Sequence, residues 1–113
     1  MCMKIDKEDL LRINQGFGGG LRNNAGLEFA IAKQNEKKLG DYKKLAYLWR
    51  AILVDPSFSD GNKRTAVFLA FQFAEETNKQ INRDLLVYHA MSIAKRNIAD
   101  INIIERRLRN AIN

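Results

Sequence analysis

The chain has 113 residues, of which 46% are hydrophobic, 28% are charged and one is proline. This composition argues against disorder and favours one helical globular domain covering residues 1–113. The formal net charge of +6 has two readings, a solvated basic surface or attraction to nucleic acid, a nucleotide or an acidic partner.

The cations are spread along the chain and do not alternate with aromatic residues, so nucleic acid is the less favoured partner. Cys2 is the only cysteine, and an internal disulfide is therefore excluded. The first residues lack the apolar stretch of a secretory signal, and the longest apolar run, 66–74, is too short for a bilayer. We therefore expect a cytoplasmic protein without a membrane segment.

Apolar periodicity predicts three helices in the first half of the chain. The first starts after the N-cap Asp6 and stops before the glycine-rich residues 16–20. The second covers about 24–33, and the third begins near Asp41 and is barred from continuing by Pro56. The apolar stripe of the third helix consists of Leu45, Leu48, Trp49, Ile52 and Leu53.

Three more helices are predicted, at about 62–76, 83–96 and 100–111. The helix near 62–76 is apolar almost all round, so we expect it at the centre of an all-α bundle of about six helices. Residues 16–20 lack the spacing of a phosphate-binding loop and are predicted to be a flexible connector, with a mobile loop over a ligand as the alternative. A short hairpin around 35–40 is a second open alternative.

The most informative segment lies at the start of the fourth helix. It combines a carboxylate, a glycine, an amide and two cations within five positions. A helix that starts near Asn62 directs its free backbone N–H groups outward, which suits a phosphate, and Asp60 could hold a divalent cation against it. The alternative is a plain helix entry with capping residues and solvated cations. The segment reads Phe58-Ser59-Asp60-Gly61-Asn62-Lys63-Arg64-Thr65-Ala66.

This segment resembles the signature loop of the Fic/Doc (Fido) family, which has the form His-x-Phe-x-Asp/Glu-Gly/Ala-Asn-Gly/Lys-Arg. Residues 20–23 and 26–30 are similar to the family's upstream Gly-x-Arg-Asp…Leu-x-x-Ala segment. Lys63 in place of the glycine of the Fic branch, and Val67 in place of its second arginine, point to the Doc (death-on-curing) branch. That branch comprises short toxins of toxin–antitoxin operons.

The resemblance implies a helical Fido fold that binds ATP or another nucleotide, with Mg²⁺, and transfers a phosphoryl or nucleotidyl group to a protein hydroxyl. A protein substrate and an antitoxin are the implied partners. The implied roles are a loop anchor for Phe58, a magnesium ligand for Asp60, and phosphate or nucleotide binding for Gly61, Asn62, Lys63 and Arg64.

The chain departs from the family at the general base, because Pro56 stands where the family has its histidine. Asp55 is a weak candidate for the base, and the only histidine, His89, lies far along the chain. Three functions therefore stay open. They are a nucleotide-binding Doc-like protein with impaired catalysis, an active transferase that uses Asp55 or its own substrate as the base, and a basic helical module for nucleic acid or an acidic partner.

Overall fold

The computed structural model describes residues 4–113, which form six α-helices. These residues contain no strand, and two isolated bridges pair Leu21 with Phe58 and Ile81 with Ile112. The predicted all-α bundle of six helices is therefore confirmed, while Cys2 lies outside the described residues. The helices are α1 (Lys7–Gly16), α2 (Asn24–Lys33), α3 (Asp41–Leu53), α4 (Asn62–Glu76), α5 (Arg83–Arg96) and α6 (Ile101–Ala111).

Side-chain caps explain why the helices begin where the sequence predicts. Asp6 accepts a hydrogen bond from the backbone N–H of Asp9 at 2.8 Å, and Asp9 in turn accepts from the N–H of Asp6. Asn23, Asn82 and Asp100 cap α2, α5 and α6 in the same way. Each cap supplies an acceptor to a first-turn N–H that has no partner within its helix. Residues 35–40 form turns, and no hairpin occurs there.

Helix α3 has the largest number of neighbours in the bundle, since it packs against α2, α4, α5 and α6. Its predicted apolar stripe is buried throughout. At the centre of the stripe, the fully buried Trp49 donates from Nε1 to the carbonyl oxygen of Ala66 at 2.9 Å. This bond ties the first half of α4 to the core.

Helix α4 has the predicted bounds and packs against α1, α3 and α5. Leu69 and Phe73 are buried, whereas Phe68 and Phe71 are 38% and 39% exposed. The sequence predicts an apolar surface almost all round this helix, and its neighbours cover only part of that surface. The rest forms one wall of a groove between α4 and α5, which is described below.

In residues 4–113, every helix is too short or too polar to cross a membrane.

Candidate functional site

The segment from residue 55 to 61, here called the signature loop, is held to the bundle at both ends. Phe58 is 1% exposed and belongs to the core. The Asn62 side chain closes the loop, because its Nδ2 donates to the carbonyl oxygen of Phe58 at 2.9 Å and its Oδ1 accepts from the N–H of Phe58 at 3.1 Å. Ser57 is buried as well and donates from Oγ to the carbonyl oxygen of Ala51 at 2.9 Å. Asn62 is thus a loop-orienting residue in this structure.

Gly61 is the N-cap residue of α4 and has a left-handed backbone with φ of 72°. No side chain of residues 4–113 caps this helix. The N–H of Gly61 itself donates to Oδ1 of Asp60 at 2.8 Å. The first-turn N–H groups of α4 therefore lack the capping acceptor that α1, α2, α5 and α6 have, and this leaves the positive end of the α4 dipole available to an anion.

Lys63 and Arg64 are exposed in the first turn of α4. Arg64 lies against the ring of Phe17, whose centre is 5.7 Å from the guanidinium carbon. Within residues 4–113, no carboxylate lies within ion-pair distance of Lys63 or Arg64. An uncapped helix end with two unpaired cations is an arrangement that can bind a phosphate.

Asp60 is exposed and stands beside this turn. One of its carboxylate oxygens accepts from Gly61, which leaves the other oxygen for a cation. Within the described residues, no group of three or more His, Cys, Asp or Glu side chains could hold a metal ion. One carboxylate fits Mg²⁺ only where phosphate oxygens supply further ligands, as is common for this ion.

The glycine-rich residues 16–20 are more constrained than a flexible connector. The N–H of Ser59 donates to the carbonyl oxygen of Gly20 at 2.8 Å, and Oγ of Ser59 accepts from the N–H of Gly20 at 3.1 Å. The N–H groups of Arg22 and Asn23 both donate to the carbonyl oxygen of Ser57, at 2.7 and 3.0 Å. Residues 20–23 thus form a hydrogen-bonded seam with the signature loop, which sequence analysis missed because no local pattern encodes pairing across 39 residues.

Asn14 was also missed as a site residue. It lies on α1, is fully buried, and donates from Nδ2 to the carbonyl oxygen of Asp60 at 2.8 Å. A signal was present in the sequence, since Asn14 follows the core residue Leu10 by one helical turn and so occupies a buried position with a polar side chain.

The candidate bases differ in their surroundings. Asp55 is exposed, accepts from Nδ2 of Asn23 at 2.8 Å and lies 3.7 Å from Nη1 of Arg22. The same Nη1 donates to the carbonyl oxygen of Pro56 at 2.8 Å, so position 56 offers a backbone acceptor and no titratable group. His89 shares a hydrogen bond of 3.1 Å with Asn110 of α6, and burial lowers the pKa of its imidazole. Its partner is on the last helix and not on the signature loop.

A groove of about 540 Å³ lies between α4 and α5. It begins at the first turn of α4, directly after the signature loop. Its walls are apolar, with Phe68 and Phe71 on one side and Met91 on the other. Its cations are Lys63 and Arg64 in the first turn of α4 and Arg83 in the first turn of α5. A second depression of about 680 Å³, which shares Lys63 and Met91, continues to Lys95 and Arg96. We call the first of these the α4–α5 groove.

Comparisons with protein-family models, curated proteins and solved structures find no match to this chain. The resemblance to the Fic/Doc family therefore stays a prediction that rests on the motif residues.

Replacement of Gly61 by alanine is expected to destabilise the protein by about 1–3 kcal/mol, because alanine is strained at positive φ. A Cβ at position 61 would also lie 2.9 Å from the Cβ of Phe17. Gly16→Ala is the matched control, since a Cβ there meets no atom within 4 Å and the residue ends a helix. Urea unfolding followed by the fluorescence of Trp49 measures both variants. Equal stability of the two would contradict the strain at Gly61.

Proposed function

We propose that the chain is a Doc-like protein that binds the phosphates of a nucleotide at residues 58–65 and lacks an efficient general base. The observation that carries this proposal is the uncapped first turn of α4 with its two unpaired cations. A plain helix entry would gain from a side-chain cap and from an ion pair to the cations, and residues 4–113 provide neither for α4.

Each residue of the segment has a role in binding. Gly61 supplies the left-handed turn with which α4 begins, and Lys63 and Arg64 neutralise the charge of the phosphate. Asn62 fixes the loop through its two hydrogen bonds to Phe58. Asp60 keeps one carboxylate oxygen for Mg²⁺, which when bound offsets charge on the phosphates.

The proposed impairment follows from Pro56. A general base contributes about a hundred- to ten-thousand-fold to such a reaction. Asp55, the nearest titratable group in sequence, is engaged by Arg22 and Asn23, and His89 is buried beside α6. Positioning and charge neutralisation would then remain without efficient removal of the proton from the attacking hydroxyl.

A second candidate function, a binding module for an acidic partner, is favoured by the α4–α5 groove. The groove is concave, its walls are apolar, and cations line it from the first turn of α4 to that of α5. An amphipathic helix with apolar residues on one side and carboxylates at its borders has the complementary shape and charge. The antitoxin implied by the resemblance would be such a partner, and it would compete with a nucleotide for Lys63 and Arg64, which line the groove.

Lys63→Ala is expected to weaken the binding of MgATP by about tenfold, the size of one lost hydrogen bond between charged groups. Lys38→Ala is the matched control, because it removes the same charge from an exposed turn residue between α2 and α3. Isothermal titration calorimetry measures both. The proposal fails if the unaltered protein does not bind MgATP, or if both variants bind it as tightly as the unaltered protein.

Pro56→His is expected to restore group transfer, because it returns an imidazole to the position of the missing base. Incubation with ATP labelled at either the α or the γ phosphate, together with a cell extract, distinguishes nucleotidyl from phosphoryl transfer. Pro56→Ala controls for the loss of the proline ring. Robust labelling by the unaltered protein would show that catalysis is intact and would overturn the proposed impairment.

Phe68→Glu is expected to abolish binding of an acidic amphipathic peptide to the α4–α5 groove, through loss of an apolar wall and through charge repulsion. The probe is a fluorescein-labelled peptide of Leu and Glu with leucines at positions i, i+3, i+4 and i+7. Phe29→Glu is the control, since Phe29 is 51% exposed on α2 and does not line the groove. A scrambled peptide that binds equally well, or loss of binding in both variants, would count against the groove.

A further inference from the structure

Asn14 connects α1 to two points on either side of Gly61. Its side chain is 0% exposed, and its Nδ2 donates to the carbonyl oxygen of Asp60 at 2.8 Å and to Oγ1 of Thr65 at 3.1 Å. Thr65 is itself fully buried, and its N–H donates to the carbonyl oxygen of Gly61 at 2.9 Å. One amide group therefore fixes the residue that precedes the N-cap of α4 and the residue that completes its first turn.

The third segment at this point is the glycine-rich one. A Cβ on Gly19 would overlap both Oδ1 of Asn14 and the carbonyl oxygen of Asp60, so only glycine lets the three segments approach this closely. The N–H of Gly19 also donates to the backbone carbonyl oxygen of Asn14 at 3.2 Å. Asn14 thus lies where α1, residues 16–20 and the signature loop meet.

The orientation of the Asn14 amide has a cost. Its Oδ1 is buried and has no hydrogen-bond partner within residues 4–113, which is unfavourable for a carbonyl oxygen. A reversed amide would set an oxygen against the carbonyl oxygen of Asp60, which repels it. The bond to Asp60 therefore sets the orientation, and the unpartnered Oδ1 is its consequence.

We propose that Asn14 is a positioning residue for the anion site, which it serves without contacting the anion. It holds the backbone of Asp60 against the first turn of α4, which carries Lys63 and Arg64. The consequence for affinity rests on the proposed nucleotide binding, whereas the effect on the loop itself does not.

The test uses Asn14→Leu, which keeps the approximate size of the side chain and removes both donors. Gln34→Met is the matched control. Gln34 is a second buried amide, 5% exposed, whose hydrogen bonds run to the backbone of Ile5 and Ile31 and not to the signature loop. Both variants are expected to lose global stability, so urea unfolding alone does not separate a positioning role from a structural one.

Two readouts separate these roles. Trypsin cuts after Lys63 and Arg64, and we expect Asn14→Leu to raise cleavage there about tenfold relative to Gln34→Met, because local opening of the first turn becomes easier. The affinity for inorganic pyrophosphate, measured by calorimetry, is expected to fall about fivefold in Asn14→Leu alone. This is the size of one lost hydrogen bond, here the bond from Asn14 to Asp60 that positions the loop. Equal cleavage in the two variants overturns the positioning role of Asn14, and raised cleavage with unchanged affinity overturns its link to the anion.

A second pair covers the case in which Asn14→Leu does not fold. Thr65→Val removes the oxygen that accepts from Asn14, and Thr65→Ser retains it. Cleavage at Lys63 and Arg64 is expected to rise in Thr65→Val and to return to the original rate in Thr65→Ser. A rise in both variants would overturn the inference. If the unaltered protein binds neither MgATP nor pyrophosphate, the proposed function fails, while the cleavage results still decide whether Asn14 positions the loop.

Discussion

The seam between residues 20–23 and 57–59 is the constraint on which the arrangement of the signature loop depends. A loop that leaves a helix at Leu53 and enters another at Asn62 has many accessible backbone conformations, and fixing them costs conformational entropy. The seam offsets this cost with backbone hydrogen bonds, three of which go to carbonyl oxygens at 2.7–3.0 Å. The seam joins the segment between α1 and α2 to the segment between α3 and α4. The loop is therefore fixed only when α1 and α2 have packed against α3 and α4.

The N-terminus of α4 differs from those of the other helices in its capping and in its charges. Four of the six helices have a side-chain cap, and α4 has none, while the cations of its first turn form no ion pair within the described residues. Helix α3 also lacks a side-chain cap, but it carries Asp41 in its first turn, whereas α4 has no acidic residue there. A carboxylate near a helix N-terminus partly satisfies the dipole. At α4 that carboxylate is Asp60, which accepts from the N–H of the N-cap Gly61, while the N–H groups of the first turn have no side-chain acceptor among residues 4–113.

The sequence predicts the fold well because the helix signals are local. Asp6, Asn82 and Asp100 sit at the N-caps, and Pro56 prevents the continuation of α3. The motif predicts residues 58–65 as the candidate site, and its ligand, metal and catalytic state stay predictions. What the sequence does not predict is non-local, namely the contact of Asn14 with Asp60 and the pairing of residues 20–23 with the signature loop. The bonds Asn14–Asp60 and Gly20–Ser59 join residues 46 and 39 positions apart.

The close approach at Gly19 has a consequence for the evolution of this chain. A side chain at position 19 would displace Asp60 as well as Asn14. A mutation at position 19 therefore alters the signature loop, although Asp60 lies 41 residues further along the chain. Position 61 needs a glycine for a different reason, its left-handed backbone. Among descendants that keep this loop geometry, both glycines should persist, position 14 should keep an amide donor, and position 65 should keep a hydroxyl acceptor, as threonine or serine. Loss of the required group at any one of these four positions would change the geometry of the signature loop.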